Sequence, residues 1–186
     1  MENESPKTNK NIGFIKEIIS FAILAIVIVI PVRIFIAQPF IVSGESMYST
    51  FETGQYLIVD QLSYRFHEPQ RGDVIIFRFP ENPSKFFIKR IIGLPRETIQ
   101  LEGNDVYITT TNGERIKLEE NYTSSKRDTF QTTELSDTEY FVMGDNRLAS
   151  LDSRSWGPLE EHFIIGRAFV RLLPINTFDF LPGQDN

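Results

Sequence analysis

The stretch Ser43-Gly44-Glu45-Ser46-Met47-Tyr48-Ser49-Thr50 holds three serines in eight positions. A serine hydroxyl attacks a carbonyl only when a neighbouring group takes its proton. Histidine is the usual acceptor, and the chain has two, His67 in RFHEPQRG and His162 in LEEHF. The first sits in turn composition and the second follows two glutamates; neither neighbourhood marks out a triad. Lysine is the other acceptor. It works only as the neutral amine, so apolar burial must pull its pKa down. The segment FFIKRII offers such a site. On a strand Phe87, Lys89 and Ile91 share one face, and Ile88, Arg90 and Ile92 the other. Arg90 has similar neighbours, but a guanidinium keeps its proton. The residues alone leave two readings of Lys89: a proton acceptor, or a strand lysine with its head turned to water.

A third polar run, GDNRLASLDSR, follows the apolar segment YFVM. It brings together Gly144, Asp145, Asn146, Arg147, Ser150, Asp152 and Arg154. Such a run is either a functional loop or a salt-bridged turn. Asp152 and Arg154 can pair, and Ser150 can hydrogen-bond beside a lysine and orient it.

The segments between these runs read as strands. Residues 55–64, 72–80, 85–95, 140–146 and 164–174 are rich in branched and aromatic side chains. Residues 98–118 alternate apolar and polar around Gly103-Asn104-Asp105 and Asn112-Gly113, which are hairpin punctuation. Residues 119–137 are polar and read as an exposed loop, and the tail after Pro174 carries no signal. The expectation is a mainly β domain, one strongly curved sheet system with a hairpin extension over residues 98–140.

Ahead of it, IISFAILAIVIVIPV runs from Ile18 to Val32 without a charge or a polar face. With RIFI it approaches the roughly 20 residues that cross hydrocarbon. The expected organisation is a cytoplasmic tail over 1–17, a transmembrane signal anchor over 18–36 and an extracytoplasmic domain over 37–186. Lys7, Lys10 and Lys16 precede the span and Arg33 flanks its far side, which predicts the N-terminus in the cytoplasm and membrane lipid as a neighbour. The formal net charge of −6 gives no support for a nucleic-acid partner. The absence of cysteine excludes disulfides and thiol catalysis, and with two histidines it leaves only carboxylates for a metal; no metal or cofactor is expected.

Four segments together resemble the type I signal peptidases, serine–lysine proteases of the bacterial cytoplasmic membrane. The family's Gly-x-Ser-Met-x-Pro-Thr box reads Gly44 to Thr50 here, its Arg-Gly-Asp strand box reads RGDVIIF (71–77), and its lysine box reads FIKRIIGLPRE (87–97). Its Gly-Asp-Asn-Arg-x-x-Ser-x-Asp-Ser-Arg box matches residues 144–154 throughout. The resemblance implies Ser46 as nucleophile, Lys89 as general base and Ser150 as the group orienting Lys89. It further implies Asp152 and Arg154 as a supporting ion pair, and Gly144, Asp145, Asn146 and Arg147 as the turn holding the last box. The backbone N–H of Ser46 would give one oxyanion donor. Phe40, Val42, Leu57, Ile76 and Ile88 would line the pocket for the side chain three before the cut. Met47, Phe51 and Phe87 would lie near the pocket for the last one. The implied activity is removal of signal peptides from secretory preproteins after small residues, in an Ala-x-Ala pattern.

Three positions depart from the family pattern. Ser49 replaces the box proline, and Arg96-Glu97 replaces Gly-Asp after Pro95. A turn built for a glycine at positive φ would be strained by Arg96. Gly44 stands where some members carry a serine that completes the oxyanion hole. The rival readings are a catalytically impaired homologue that binds exported proteins, and a self-cleaving repressor, which would carry a DNA-binding helical domain where this chain has an apolar segment.

Overall fold

The computed structural model describes residues 10–31 and 37–184. The chain divides into two compact units, residues 1–36 and 37–186. In the first, helix α1 runs Lys10–Pro31, starting eight residues ahead of the anchor expected from Ile18. Its stretch Gly13–Ile30 is long and apolar enough to cross a membrane, and every side chain in it is exposed. Residues 1–9, and the expected end of the anchor including Arg33, lie outside the described residues.

The second unit is built on strands. An eight-stranded sheet joins β1 (Ala37–Ile41), β2 (Tyr56–Asp60), β3 (Val74–Phe79), β4 (Asn82–Gly93), β9 (Glu139–Met143), β10 (Leu159–Glu160), β11 (Ile164–Leu173) and β12 (Asp179–Phe180). Its spatial order is β1-β2-β11-β3-β4-β9-β10, with β12 beside β11, and every pairing is antiparallel. Register shifts interrupt the pairs β11–β2, β11–β3, β3–β4 and β4–β9. Each such irregularity bends and twists the strand that carries it, which curls the sheet. A four-stranded sheet, β7-β6-β5-β8, is made by β5 (Thr98–Gly103), β6 (Asp105–Thr109), β7 (Arg115–Lys117) and β8 (Thr129–Glu134). The second unit is therefore mainly β, as expected. Among its described residues the one α-helix, α2 (Ser153–Trp156), is a single turn.

Strand β8 corrects the reading of 119–137 as a loop throughout. Its sequence TFQTTE buries neither face, alternating only between half-buried and exposed. Period-2 patterning reports a strand only when one side meets a core, so this edge strand left no trace. The tail after Pro174 also has structure. Phe180 pairs with Val170 across β12–β11, and Pro182 is buried.

Three apolar clusters hold the unit. Met47, Phe51, Leu57, Val59, Val74 and Ile76 form the one beneath the serine loop. Ile92, Ile99, Leu101, Ile108, Phe141 and Met143 fill the extension. Ile75, Phe77, Ile91, Val142 and Leu159 join the central strands.

Candidate active site

Ser46 sits in the loop between β1 and β2. The loop's ends are tied by Val42 N–H to Gln55 O (2.9 Å) and Gly54 N–H to Val42 O (2.9 Å). Within it, Thr53 Oγ1 donates to Gly44 O at 3.0 Å and accepts from Gly44 N–H at 3.1 Å. Gly44 has φ +98°, a backbone that L side chains rarely take. This loop conformation therefore goes with glycine at position 44, not serine. Met47 and Phe51 point inward at 1% and 0% exposure and anchor the loop to the core.

Lys89 arrives from β4, opposite Ile75 of β3. It is 3% exposed. Its Nζ donates to Ser46 Oγ at 2.7 Å and to Ile88 O at 2.8 Å, and lies 5.2 Å from the Phe87 ring centre. Burial pulls its pKa from the ordinary 10.5 down to about 8. The Asp152 and Asp145 carboxylates hold it from falling further, and Arg154 pushes it down. The lysine head is not turned to water. His67 and His162 are both exposed, and neither lines the cleft described below.

The last box supplies the scaffold. Asp145, fully buried, takes Arg90 Nε (2.9 Å), Arg90 Nη2 (2.7 Å) and the Thr50 hydroxyl (2.6 Å) on its two oxygens. The strand carrying Lys89 and the loop carrying Ser46 are thus joined through one carboxylate. Asn146 N–H donates to Ser46 O at 3.0 Å. Arg147 donates from Nε to Gly144 O (3.0 Å) and from Nη1 to Glu120 (2.9 Å). Asp152 accepts from Arg154 Nε (2.8 Å), Arg154 Nη2 (2.7 Å) and Gly144 N–H (3.0 Å). Burial alone would raise the Asp152 carboxyl; Arg154, with the Ser150 hydroxyl and Gly144 N–H, holds it below its ordinary value.

Ser150 is 7% exposed, and its Oγ faces the Asp152 carboxylate but closes no hydrogen bond of full geometry among the described residues. It sits against Gly144, where an added Cβ would overlap both Ser150 Oγ and the Ser46 carbonyl. A side chain at position 144 would press on both Ser150 and the Ser46 backbone.

A cleft of about 480 Å³ opens over Ser46 and Lys89. Phe40, Val42, Gly44, Ser46, Leu57, Ile76, Phe87, Ile88 and Lys89 line it, with Glu45, Lys85 and Leu151 also at its walls. Met47 and Phe51 do not line it; they are buried beneath it, in the same cluster as the cleft residues Val42, Leu57 and Ile76. A separate polar pocket of about 210 Å³ in the extension, lined by Lys117, Glu120 and Arg147 among others, does not include Ser46 or Lys89.

Sequence reasoning missed the supporting roles of Thr50, Thr53, Glu120 and Arg90. The first lies inside the serine box, which is the one signal that points to it. Glu120 sits in a charged run with nothing to set it apart. Arg90 enters the sequence reading only as an unsuitable base, whereas its function is to pair.

The site holds a buried lysine amine 2.7 Å from a serine hydroxyl, and comparison with known proteins shows the family to which the chain belongs. The family model described as signal peptidase, peptidase S26 matches residues 15–173. The chain is 42% identical over 161 residues to the signal peptidase I of Leptolyngbya laminosa, covering 82% of this chain and 77% of that one. It is 34% identical over 180 residues to signal peptidase I T of Bacillus subtilis (strain 168), covering 91% and 89%. Among solved structures, a signal peptidase I from Enterococcus faecalis V583 aligns at 31% identity over 54% of this chain and 97% of that one, with a TM-score of 0.43. The assignment rests on the sequence matches: the chain belongs to the signal peptidase I family. It is a hydrolytic enzyme of that family, with exported preproteins as the implied substrates and, among the described residues, one apolar N-terminal helix long enough to cross a membrane.

Proposed function

We propose that the protein is a membrane-anchored endopeptidase that removes signal peptides after small residues, with Ser46 as nucleophile and Lys89 as general base. The observation that carries this reading is the 2.7 Å separation of Lys89 Nζ and Ser46 Oγ on the wall of the cleft. At that distance the neutral amine takes the hydroxyl proton as Oγ attacks the scissile carbonyl. The resulting ammonium then gives the proton to the leaving amine, and a water repeats the sequence on the acyl-enzyme. The Ser46 N–H is one donor to the developing oxyanion.

Ser150 fits as the positioning residue. Its buried hydroxyl faces the Asp152 carboxylate without a full hydrogen bond and is free to turn to Lys89 as the ammonium forms. Asp152 with Arg154 and the turn Gly144 to Arg147 hold this hydroxyl and Ser46 in register. The apolar lining by Phe40, Val42, Leu57, Ile76, Phe87 and Ile88 supports an Ala-x-Ala preference, since a bulky side chain meets aromatic walls. Gly44, Met47 and Phe51 would act by shaping the loop. The proposed organisation is a cytoplasmic tail over 1–17, an anchor over 18–36 and a catalytic domain over 37–186 outside the cytoplasm, N-terminus in.

The test is cleavage of a preprotein by the purified protein in detergent, with Ser46→Ala as control. Cutting after alanine that vanishes in Ser46→Ala supports the reading. Efficient cutting after Phe or Lys, or activity retained in folded Ser46→Ala, contradicts it.

A further inference from the structure

We propose that residues 181–184 form a positioning strap that holds Ser46 and Lys89 in register through Arg90, Asp145 and Thr50; this rests on the reading of Ser46 and Lys89 above. The segment is fixed at four successive residues. Leu181 N–H donates to Phe169 O at 2.8 Å, Pro182 is buried, Gly183 O accepts from Arg90 Nη1, and Gln184 Nε2 donates to Asp73 Oδ1 at 2.8 Å. Asp73 is itself 3% exposed, and its other oxygen takes the Tyr64 hydroxyl at 2.8 Å.

Gly183 sits where the elements of the site converge. It has φ +84°, and a Cβ there would lie 2.8 Å from Thr50 Cγ2, 3.1 Å from Val74 Cγ2 and 3.2 Å from Arg90 Nη2. Thr50 belongs to the serine loop, and Arg90 is the residue after Lys89. Both donate to Asp145, whose neighbour Asn146 holds the Ser46 carbonyl. Arg171 closes the same junction from β11, donating to Thr50 O at 2.8 Å. The Arg90 guanidinium lies over the Tyr122 ring at 4.0 Å and also donates to Gly72 O at 2.9 Å. Its Nη1 therefore has two carbonyl acceptors, and the strap supplies one. Taking the strap away uncovers the Thr50–Asp145–Arg90 junction to water. Competing water weakens each of its hydrogen bonds, and the two elements they join gain freedom. None of these residues lines the substrate cleft, so the strap should govern turnover and leave binding alone.

The experiment compares the protein in detergent with a variant ending at Phe180 and with Gly183→Val. Steady-state cleavage of an Ala-x-Ala preprotein should show kcat lower by about 10- to 100-fold in both, with KM within about twofold. Independently of any substrate, the Lys89 titration is read by NMR on labelled lysine. It should move up toward the ordinary lysine value in both variants as water enters. Unchanged kcat and unchanged Lys89 titration in folded Gly183→Val overturn the proposal. So does a loss of kcat and KM together with lowered Tm and an unmoved Lys89 titration, which marks mere loss of structure. Should the truncated chain not fold, Gly183→Val alone decides. If the wild type cleaves nothing, the cleavage reading fails by itself, while the lysine titration still judges the strap.

Discussion

Arg71 and Glu97 meet in a two-point ion pair, Nη1 to Oε2 at 2.9 Å and Nη2 to Oε1 at 2.6 Å. The glutamate stands where the family pattern carries an aspartate. It also accepts from Leu94 N–H at 2.8 Å, and Arg71 Nη1 reaches Ile92 O at 2.6 Å. The departure in sequence thus keeps an acid on the arginine that opens the Arg-Gly-Asp segment. Glu97 is 6% exposed, and removing one member of such a pair strands the other. Glu97→Ala should destabilise the protein by about 3 kcal/mol, and Glu97→Gln, which keeps shape and an acceptor, by less. Chemical denaturation of both variants checks this. Equal stability of Glu97→Ala and wild type would contradict it.

Arg96 has φ +65°, where the family pattern carries glycine. Its side chain makes a 3.5 Å contact with exposed Asp137, which offsets little of the backbone cost. A non-glycine residue in this region costs about 1–2 kcal/mol. Arg96→Gly should therefore stabilise the protein by about 1 kcal/mol, read as a rise in the denaturation midpoint. A fall would show that the turn is not strained at this residue.

Much of this site is legible in the sequence. The serine box, the lysine flanked by Phe87 and Ile91, and the last polar box are local runs, and each keeps its chemistry within about ten successive residues. Enrichment in branched and aromatic side chains also marks β2, β3, β4, β9 and β11, and apolar–polar alternation marks β5 and β6. What stays hidden has a common cause. Strand β8 has no buried face, Glu120 pairs with Arg147 across the fold, and residues 181–184 reach Arg90 over long sequence separation. Such contacts are fixed by tertiary closure and leave no period or motif. The Lys89 pKa shows the same limit. Its burial follows from its strand neighbours, but Asp145 and Asp152, which hold the value near 8, come beside it only through the fold.

Burial of Lys89 carries a stability signature with a definite sign. The folded state depresses its pKa from 10.5 to about 8, so the fold disfavours the ammonium. Below pH 8 both states are protonated and the full cost is present. Between pH 8 and 10.5 the native state has lost the proton while the unfolded chain keeps it, and stability rises with pH. The shift corresponds to a cost on the order of 3 kcal/mol. Lys89→Met loses two hydrogen bonds but removes the charge. It should be more stable than wild type by about 1–3 kcal/mol at about pH 7, with the gap closing toward pH 10.5. Thermal unfolding across this range tests it; a gap that widens with pH would contradict it.

The lysines ahead of Ile18 predict an N-in orientation. Protease added to the cytoplasmic face of oriented vesicles should leave the β domain intact, and protease on the opposite face should digest it. Digestion from the cytoplasmic face would reverse the topology and separate the site from exported chains.

Whether Lys89 is the base for Ser46 is decided by the pH dependence of kcat/KM. With the amine active only when neutral, kcat/KM for preprotein cleavage should rise about tenfold per pH unit up to about pH 8 and then level off. Ser150→Ala should lower the rate, and Lys89→Met and Lys89→Arg should both be inactive, the latter because arginine keeps its proton. An acidic limb that disappears on replacing His67 or His162, with Lys89→Met still cleaving, would make histidine the base and remove Lys89 from the chemistry.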